Sequence, residues 1–278
     1  MDIVDELIGY QRAEFDLADR FRVAKAIAQT AAILLGMAGS VVGDEPSLYW
    51  LAAACFLTSA IWAILSWSSS KVRTNAEAAR RATLVMTGLG MKLSSHELSA
   101  VREACWSSER RAAAKVEGRY FASRAGPGPL RLAENIMESA FWTKDTLKWS
   151  GHLRLVLLVI LALGAIATVA VHVRGDDPSA LSAIMKAAFV FFAGLISAEG
   201  VSAIYDYYSA SLRLESIMER IETAKARGLP DPDLANIFAD YNSTVESAPM
   251  PLTWLYRLRK PKISAAWAKR TGQTGGGA

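Results

Sequence analysis

The chain has 278 residues, of which 52% are hydrophobic and 21% charged, and its formal net charge is +4. Two cysteines are too few for a disulfide framework, which excludes a disulfide-rich secreted domain. The positive charge is typical of segments beside a membrane, so we expect no nucleic acid duplex as a partner.

Four apolar runs divide the chain. Each has about the ~20 residues that a helix needs to cross ~30 Å of hydrocarbon, and only an internally hydrogen-bonded helix can do so as a single segment in lipid. The sequence therefore predicts an all-α membrane protein with four transmembrane helices. The predicted spans are 26–43, 47–67, 155–173 and 180–204.

The four runs differ in how strongly they indicate a transmembrane helix. The second has no charge between Tyr49 and Trp67, and the third has none between Leu155 and Val173. The first run is rich in alanine, and the fourth contains Lys186 and Glu199. For the first and fourth runs the alternative is a buried core helix of a soluble protein.

The same short turn follows the first and the third run. Residues 43–47 and 175–179 both read Gly, Asp, an acid, Pro and Ser, which predicts two parallel membrane hairpins. Whether the hairpins are a true duplication or a convergent design stays open.

Lysine and arginine are distributed unevenly along the chain. Residues 1–25 hold four, 68–154 hold fifteen and 206–278 hold ten, whereas the turn at 43–47 holds none. Because cytoplasmic loops carry the excess of positive charge, we expect both termini and the middle segment in the cytoplasm. The expected location is a bacterial inner membrane, crossed several times.

This topology divides the chain into six segments. We predict a cytoplasmic amphipathic helix at 1–25, a transmembrane hairpin at 26–67, a cytoplasmic helical region at 68–154, a second hairpin at 155–204, cytoplasmic C-terminal helices at 205–270 and a disordered tail at 271–278.

Helix signals continue between the spans. The second and fourth spans are expected to continue as helix, because no Gly or Pro interrupts 68–86 or 205–227. Ser94 and Glu97 form a capping-box pattern that predicts a helix reaching about residue 117. A Gly-Pro-rich break at 125–129 precedes a helix that starts near Leu130 and enters the third span.

The C-terminal part of the sequence has weaker secondary-structure signals. A helix is predicted at 232–246, followed by a proline-containing linker and a short basic stretch at 257–262.

Enzyme chemistry has no support in the sequence. There is no phosphate-binding glycine loop, no paired-cysteine metal spacing and no nucleophile signature. The three histidines, His96, His152 and His172, are scattered. We expect no enzyme activity, no cofactor and no metal site.

The charges of the fourth span are candidate pore or gating residues. A charge within hydrocarbon normally faces a bundle interior or water, and Ser182, Lys186 and Ser197 lie near one another at helical spacing. The alternative is that Lys186 extends to the outer surface and Glu199 already lies at the inner headgroups. Because four closely packed helices leave no wide channel, a pore would require a homo-oligomer.

Several short stretches carry a family resemblance. Residues 119–123, 138–143, 240–242 and 248–249, together with the order of elements, resemble the bacterial SMODS-associated four-transmembrane effector family. Its members are encoded beside signal-generating nucleotidyltransferases in antiphage conflict systems and are described as pore-forming.

The resemblance implies a function and a signal. It implies an oligomeric inner-membrane effector that permeabilises the membrane when a cytoplasmic cyclic oligonucleotide, or a sensor protein that binds one, activates it. Arg119, Tyr120 and Arg124 are candidate ligand contacts, the alternative being a solvated basic turn. A non-conducting membrane scaffold that docks a soluble partner through its cytoplasmic helices is the alternative function.

Overall fold

The computed structural model describes residues 2–42, 44–116, 120–173, 184–191 and 200–271. Within these ranges the chain is helical and contains no strand, which confirms the all-α prediction. The helices are α1 (Ile3–Val41), α2 (Glu45–Leu89), α3 (Ser95–Ala104), α4 (Glu109–Ala113), α5 (Pro129–Val173), α6 (184–191), α7 (Gly200–Ala226), α8 (Asp231–Ser247) and α9 (Thr253–Thr271).

Three helices, α1, α2 and α5, are long and apolar enough to cross a membrane. Only 6%, 0% and 17% of their most apolar windows is buried, which argues against core helices of a soluble protein. The predicted fourth span lies partly outside the described residues. Its parts at 184–191 and 200–204 are helical.

The long helices do not stop where the apolar runs stop. Helices α2 and α5 have 45 residues each, and α1 has 39. Helix α2 continues past residue 86, and α5 starts at Pro129 and enters the third apolar run, both as predicted. Each of these helices therefore joins a polar portion to an apolar portion without a break.

The predicted capping box is present at the start of α3. The Glu97 backbone N–H donates to Ser94 Oγ at 3.2 Å, and the Ser94 backbone N–H donates to Glu97 Oε2 at 2.8 Å. This reciprocal pair satisfies two donors that the first turn of a helix leaves free.

The prediction of one helix from this cap to residue 117 is wrong, because α3 ends at Ala104 and α4 begins four residues after Cys105. Two distant side chains occupy the break. Asn75 Nδ2 donates to the Ala104 carbonyl at 2.5 Å, and the Ser107 backbone N–H donates to Glu14 Oε1 at 2.6 Å. Tertiary hydrogen bonds thus replace helical ones here.

The C-terminal region is more helical than its sequence indicates. Helix α8 matches the predicted 232–246, but the basic stretch at 257–262 belongs to the 19-residue helix α9, which contains Pro261. The sequence predicted C-terminal helices over 205–270 but gave no bounds for a helix here, and proline inside a helix usually disrupts it. Of the predicted disordered tail, 271–278, Thr271 is the last residue of α9, and residues 272–278 lie outside the described residues.

The chain divides into two compact units. The first unit comprises Met1–Asp19, Lys71–Gly151 and Asp206–Ala278, and the second comprises Arg20–Ser70 and His152–Tyr205. The first unit has a hydrophobic core of its own, drawn from α1, α2, α5, α7 and α8. Its most buried large apolar side chains include Leu7, Leu84, Ile136, Leu147, Leu214, Met218, Ile221 and Ile237.

In the second unit, α1 and α2 form an antiparallel pair. Cys55 Sγ lies 3.7 Å from the Ala32 carbonyl oxygen, and Lys25 Nζ lies 5.2 Å from the ring centroid of Trp62. Lys25 precedes Ala32 by seven residues on α1, and its partner Trp62 follows Cys55 by seven residues on α2. The two helices therefore pair with the register of a hairpin. The second predicted turn, at 175–179, lies outside the described residues.

Candidate functional site

A cleft of about 590 Å³ opens on the first unit. It lies between α5, α7, α9 and the segment 122–125 that precedes α5, and its volume is in the range of small-molecule sites. Its lining residues are Ala122, Ser123, Arg124, Ala125, Glu134, Met137, Glu138, Glu222, Lys225, Trp267, Arg270 and Thr271.

Three acids and three bases line the cleft, and most of them are paired. Glu134 accepts a hydrogen bond from Ser123 Oγ at 2.6 Å, and its other oxygen lies 3.4 Å from Lys225 Nζ. Arg270 pairs with Glu222. Within the described part of the chain, Arg124 has no ion pair, so it is the cleft cation best placed to receive an anionic group.

Glu138 is the acid of this group that holds the segment before α5. It is half-buried, and its Oε2 accepts a hydrogen bond from the Ala122 backbone N–H at 2.9 Å. Burial raises the pKa of Glu138 above its ordinary value, and the hydrogen bond from Ala122 opposes that rise. The carboxylate thus ties the segment 122–125 to α5.

One end of the cleft is aromatic. Trp267 lines it, and its ring lies 5.2 Å from that of Phe141, centroid to centroid. The indole N–H of Trp267 is buried and has no hydrogen-bond partner among the described residues. A buried donor without a partner is costly, so this N–H would gain from a ligand acceptor.

A buried charged network lies elsewhere in the first unit, between α2 and α8. Arg80 Nε donates to Glu77 Oε2 at 2.5 Å, and Arg80 Nη2 donates to Asn242 Oδ1 at 2.9 Å. The guanidinium also lies 5.0 Å from the ring centroid of Tyr241. Although Arg80 Nη1 is buried without a hydrogen-bond partner among the described residues, the bonds of Nε and Nη2 attach α8 to α2, and we interpret the network as structural.

The structure separates the three predicted ligand contacts. Arg124 lines the cleft. Tyr120 does not: its hydroxyl accepts a hydrogen bond from Gln11 Nε2 at 2.6 Å, and Arg12 lies over its ring at 5.3 Å. Burial raises the pKa of the Tyr120 hydroxyl. Arg119 lies outside the described residues.

The predicted pore residues are only partly described. Lys186 lies on α6 and is exposed. Ser182, Ser197 and Glu199 lie outside the described residues. Their assignment as candidate pore or gating residues stays a prediction.

Sequence analysis missed most of the cleft. Glu134 was assigned only to a helix and Glu138 only to a helix and a stretch that carries the resemblance, whereas Trp267 and Arg270 belong to a helix whose bounds were not predicted. The lining residues come from 122–138, 222–225 and 267–271, segments that no local pattern connects.

The comparisons do not assign the cleft to a known type. No family model, no curated protein and no solved structure matches the chain. Among the described residues, no group of three or more His, Cys, Asp or Glu side chains could hold a metal ion. The interpretation of the cleft therefore depends on its own chemistry.

Proposed function

We propose that the protein is an oligomeric inner-membrane effector that permeabilises the membrane when a cytoplasmic signal binds the cleft. The sequence resemblance indicates a cyclic oligonucleotide as that signal and antiphage defence as the setting. The distribution of lysine and arginine supports a cytoplasmic position for both termini.

One observation carries the proposal: the cleft and an apolar run lie on the same unbroken helix. Glu134, Met137 and Glu138 line the cleft from α5, and α5 continues to Val173 through the uncharged run that begins at Leu155. The distance from Glu138 to Leu155 is ~25 Å along the helix. We propose that a ligand bound in the cleft acts on the apolar segment through this continuous helix.

The lining of the cleft suits a nucleotide. Arg124 is available to a phosphate, whereas the carboxylates of Glu134 and Glu138 can accept hydrogen bonds from the amino groups of a base. The buried indole N–H of Trp267 would donate to a further ligand oxygen or nitrogen. Because the cleft also contacts α7 and α9, a bound ligand would join three helices at once.

The ligand must favour one arrangement of these helices over another, since equal affinity for both would shift nothing. We expect the ligand-bound arrangement to assemble copies of the chain into a pore. Lys186, which is exposed on α6, is the described candidate for its lining.

Dye-loaded liposomes containing the full chain test this proposal. Cyclic di- and trinucleotides are added singly, and dye release is recorded beside ligand binding to the same preparation, measured as a thermal shift. Release is expected with the nucleotide that binds. Arg124→Ala should weaken binding and release together, by at least 10-fold.

Arg110→Ala is the matched control, because Arg110 is an exposed arginine on α4 that does not line the cleft. Release that is equally weak in both variants would contradict a role for the cleft. Binding without dye release, combined with an unchanged membrane potential in expressing bacteria, would instead support the non-conducting scaffold.

A further inference from the structure

Helix α9 presents an exposed face that is both basic and aromatic. We define this α9 face by Trp254, Arg257, Leu258 and Lys262, whose spacing places them on one side of a helix. Trp254 is 53% exposed and Leu258 is 69% exposed, although both are large and apolar. Neighbouring Leu255 and Ile263 are buried, so the helix has a distinct inner side.

The charge of α9 is of one sign. Its sequence contains six basic residues and no acidic residue, and Arg257, Lys260 and Lys262 are exposed. Since like charges on one helix repel each other, the arrangement gains from an anionic partner. Single exposed apolar residues are common on protein surfaces, but here they alternate with cations.

The inner side of α9 is fixed to the part of α5 that precedes the third apolar run. The Leu252 backbone N–H donates to Ser150 Oγ at 3.1 Å. Arg259 donates two hydrogen bonds to Asp145, at 2.6 and 2.9 Å, and lies 4.2 Å from the ring centroid of Trp149.

These contacts fix the direction of α9. The start of α9 lies beside Ser150, and Trp267 near its end contacts Phe141, so α9 runs antiparallel to α5. Its first turn therefore lies beside the part of α5 around Ser150.

The length of helix between Ser150 and the third apolar run is similar to the depth of a lipid headgroup layer. Ser150 precedes Leu155, the first residue of the uncharged run, by five positions, or ~7.5 Å of helix. A headgroup region is ~5–8 Å deep on each side of the hydrocarbon. Tryptophan prefers this zone, and each lysine or arginine near an anionic surface contributes about five-fold in binding.

We propose that the α9 face docks on anionic phospholipid headgroups. The inference rests on the part of the proposed function in which α5 crosses the bilayer, but it does not require a pore. A nucleic acid would also suit cations beside a tryptophan. The attachment of α9 to the last residues before an uncharged run favours lipid.

The test uses the full chain in nanodiscs. In a Cys55→Ala, Cys105→Ala background, Leu258→Cys carries an environment-sensitive fluorophore, and quenching by lipids spin-labelled at the headgroup is measured. Discs of phosphatidylcholine are compared with discs containing one-quarter phosphatidylglycerol. Quenching is expected to increase with phosphatidylglycerol and to fall back in 0.5 M salt.

Two triple variants distinguish the effect of cations on α9 from the effect of the same charge elsewhere on the protein. Arg257→Gln, Lys260→Gln and Lys262→Gln together remove both cations of the α9 face and the exposed Lys260 at its edge; they should weaken docking on the order of 100-fold and bring quenching to the level in phosphatidylcholine discs. Lys92→Gln, Arg110→Gln and Arg111→Gln remove the same charge from exposed positions outside α9 and should leave quenching unchanged. Thermal melts confirm that both variants fold.

Three outcomes would overturn the proposal. The first is equal quenching in the two kinds of disc, and the second is an equal loss of quenching in the two triple variants. The third is a fluorescence change that an RNA 20-mer causes and phosphatidylglycerol does not. Because no step measures leakage, failure of the pore would leave the expected quenching unchanged. Loss of α5 insertion would be detected separately, as release of the protein from the discs.

Discussion

Arg80 on α2 and Asn242 on α8 are joined by a hydrogen bond of 2.9 Å from Nη2 to Oδ1, and each residue is only 7% exposed. The same guanidinium holds Glu77, which is 4% exposed, through a hydrogen bond of 2.5 Å. One arginine therefore neutralises a buried carboxylate on its own helix and joins that helix to another. The stability of the first unit depends on keeping these charges together.

Arg80→Met should strongly destabilise the first unit. It leaves the Glu77 carboxylate buried without its closest partner, which typically costs about 3–5 kcal/mol. Urea unfolding of the full chain in detergent, followed by circular dichroism, measures the loss.

Arg81→Met is the matched control. Arg81 pairs with Glu246 at 2.5 Å but is 42% exposed, so its loss should cost at most about 1 kcal/mol. Glu77→Leu combined with Arg80→Met should recover part of the lost stability, because neither member of the buried pair is then left alone; Arg73, which lies 3.9 Å from Glu77, keeps its hydrogen bond to the Val245 carbonyl. Equal costs for the Arg80 and Arg81 variants would contradict the importance of the buried pair.

Gly9→Ala should destabilise the contact between α1 and α4. A Cβ at Gly9 would lie 2.5 Å from the Ala112 carbonyl oxygen, a backbone atom that cannot move aside cheaply. We expect a cost of about 1–3 kcal/mol, which outweighs the gain of up to ~1 kcal/mol in helix propensity. The melting temperature of the full chain reports the difference.

Gly126→Ala provides the comparison, since a Cβ at Gly126 would meet no atom of the described residues within 4 Å. Its melting temperature should stay close to that of the wild type. A Gly9→Ala protein that melts at or above the wild-type temperature would show that α1 and α4 are not this close.

Cys105 should react slowly with alkylating reagents. Burial, and then the charge of Glu14, raise the pKa of Cys105 to about 12 from an ordinary value of 9.0. Because the thiolate is the reactive form, alkylation at pH 8 should be on the order of 1000-fold slower in the folded protein than in urea. A Cys55→Ala background leaves one thiol to be followed by mass spectrometry; folded and unfolded rates within 10-fold of each other would refute the expectation.

Glu138→Gln should change the pH dependence of stability. Burial raises the pKa of Glu138 above its ordinary value of 4.5. The stability that the protonated side chain contributes is therefore fully present below pH 4.5 and is lost as the pH rises through the pKa of the folded state. Glutamine can still accept the hydrogen bond from Ala122. The melting temperature of Glu138→Gln should therefore exceed that of the wild type by a small amount at pH 4 and by a larger amount at pH 7.

Glu103→Gln, at an exposed position of α3, serves as the control and should show no such trend. If the difference between wild type and Glu138→Gln is the same at pH 4 and pH 7, the carboxyl group is not destabilised by burial.

Much of the helical framework could be predicted because its causes are local. The cap at Ser94, the Gly-Pro break before α5 and the limits of α8 depend on residues within a few positions of one another. The uncharged runs on α2 and α5 are likewise visible in the sequence, since hydropathy over ~20 residues is sufficient to indicate a membrane-length helix. Of the two described candidate ligand contacts, Arg124 lies at the cleft and Tyr120 does not.

The sequence by itself thus determined which stretches are apolar and where most helices begin and end. The tertiary structure decided the break after α3, where Glu14 binds a backbone group 93 residues away, and the inclusion of Pro261 in α9. It also assembled the cleft from three separated segments. Hydropathy and backbone hydrogen bonding act over short stretches of chain, whereas these features arise from contacts that exist only after the helices have packed.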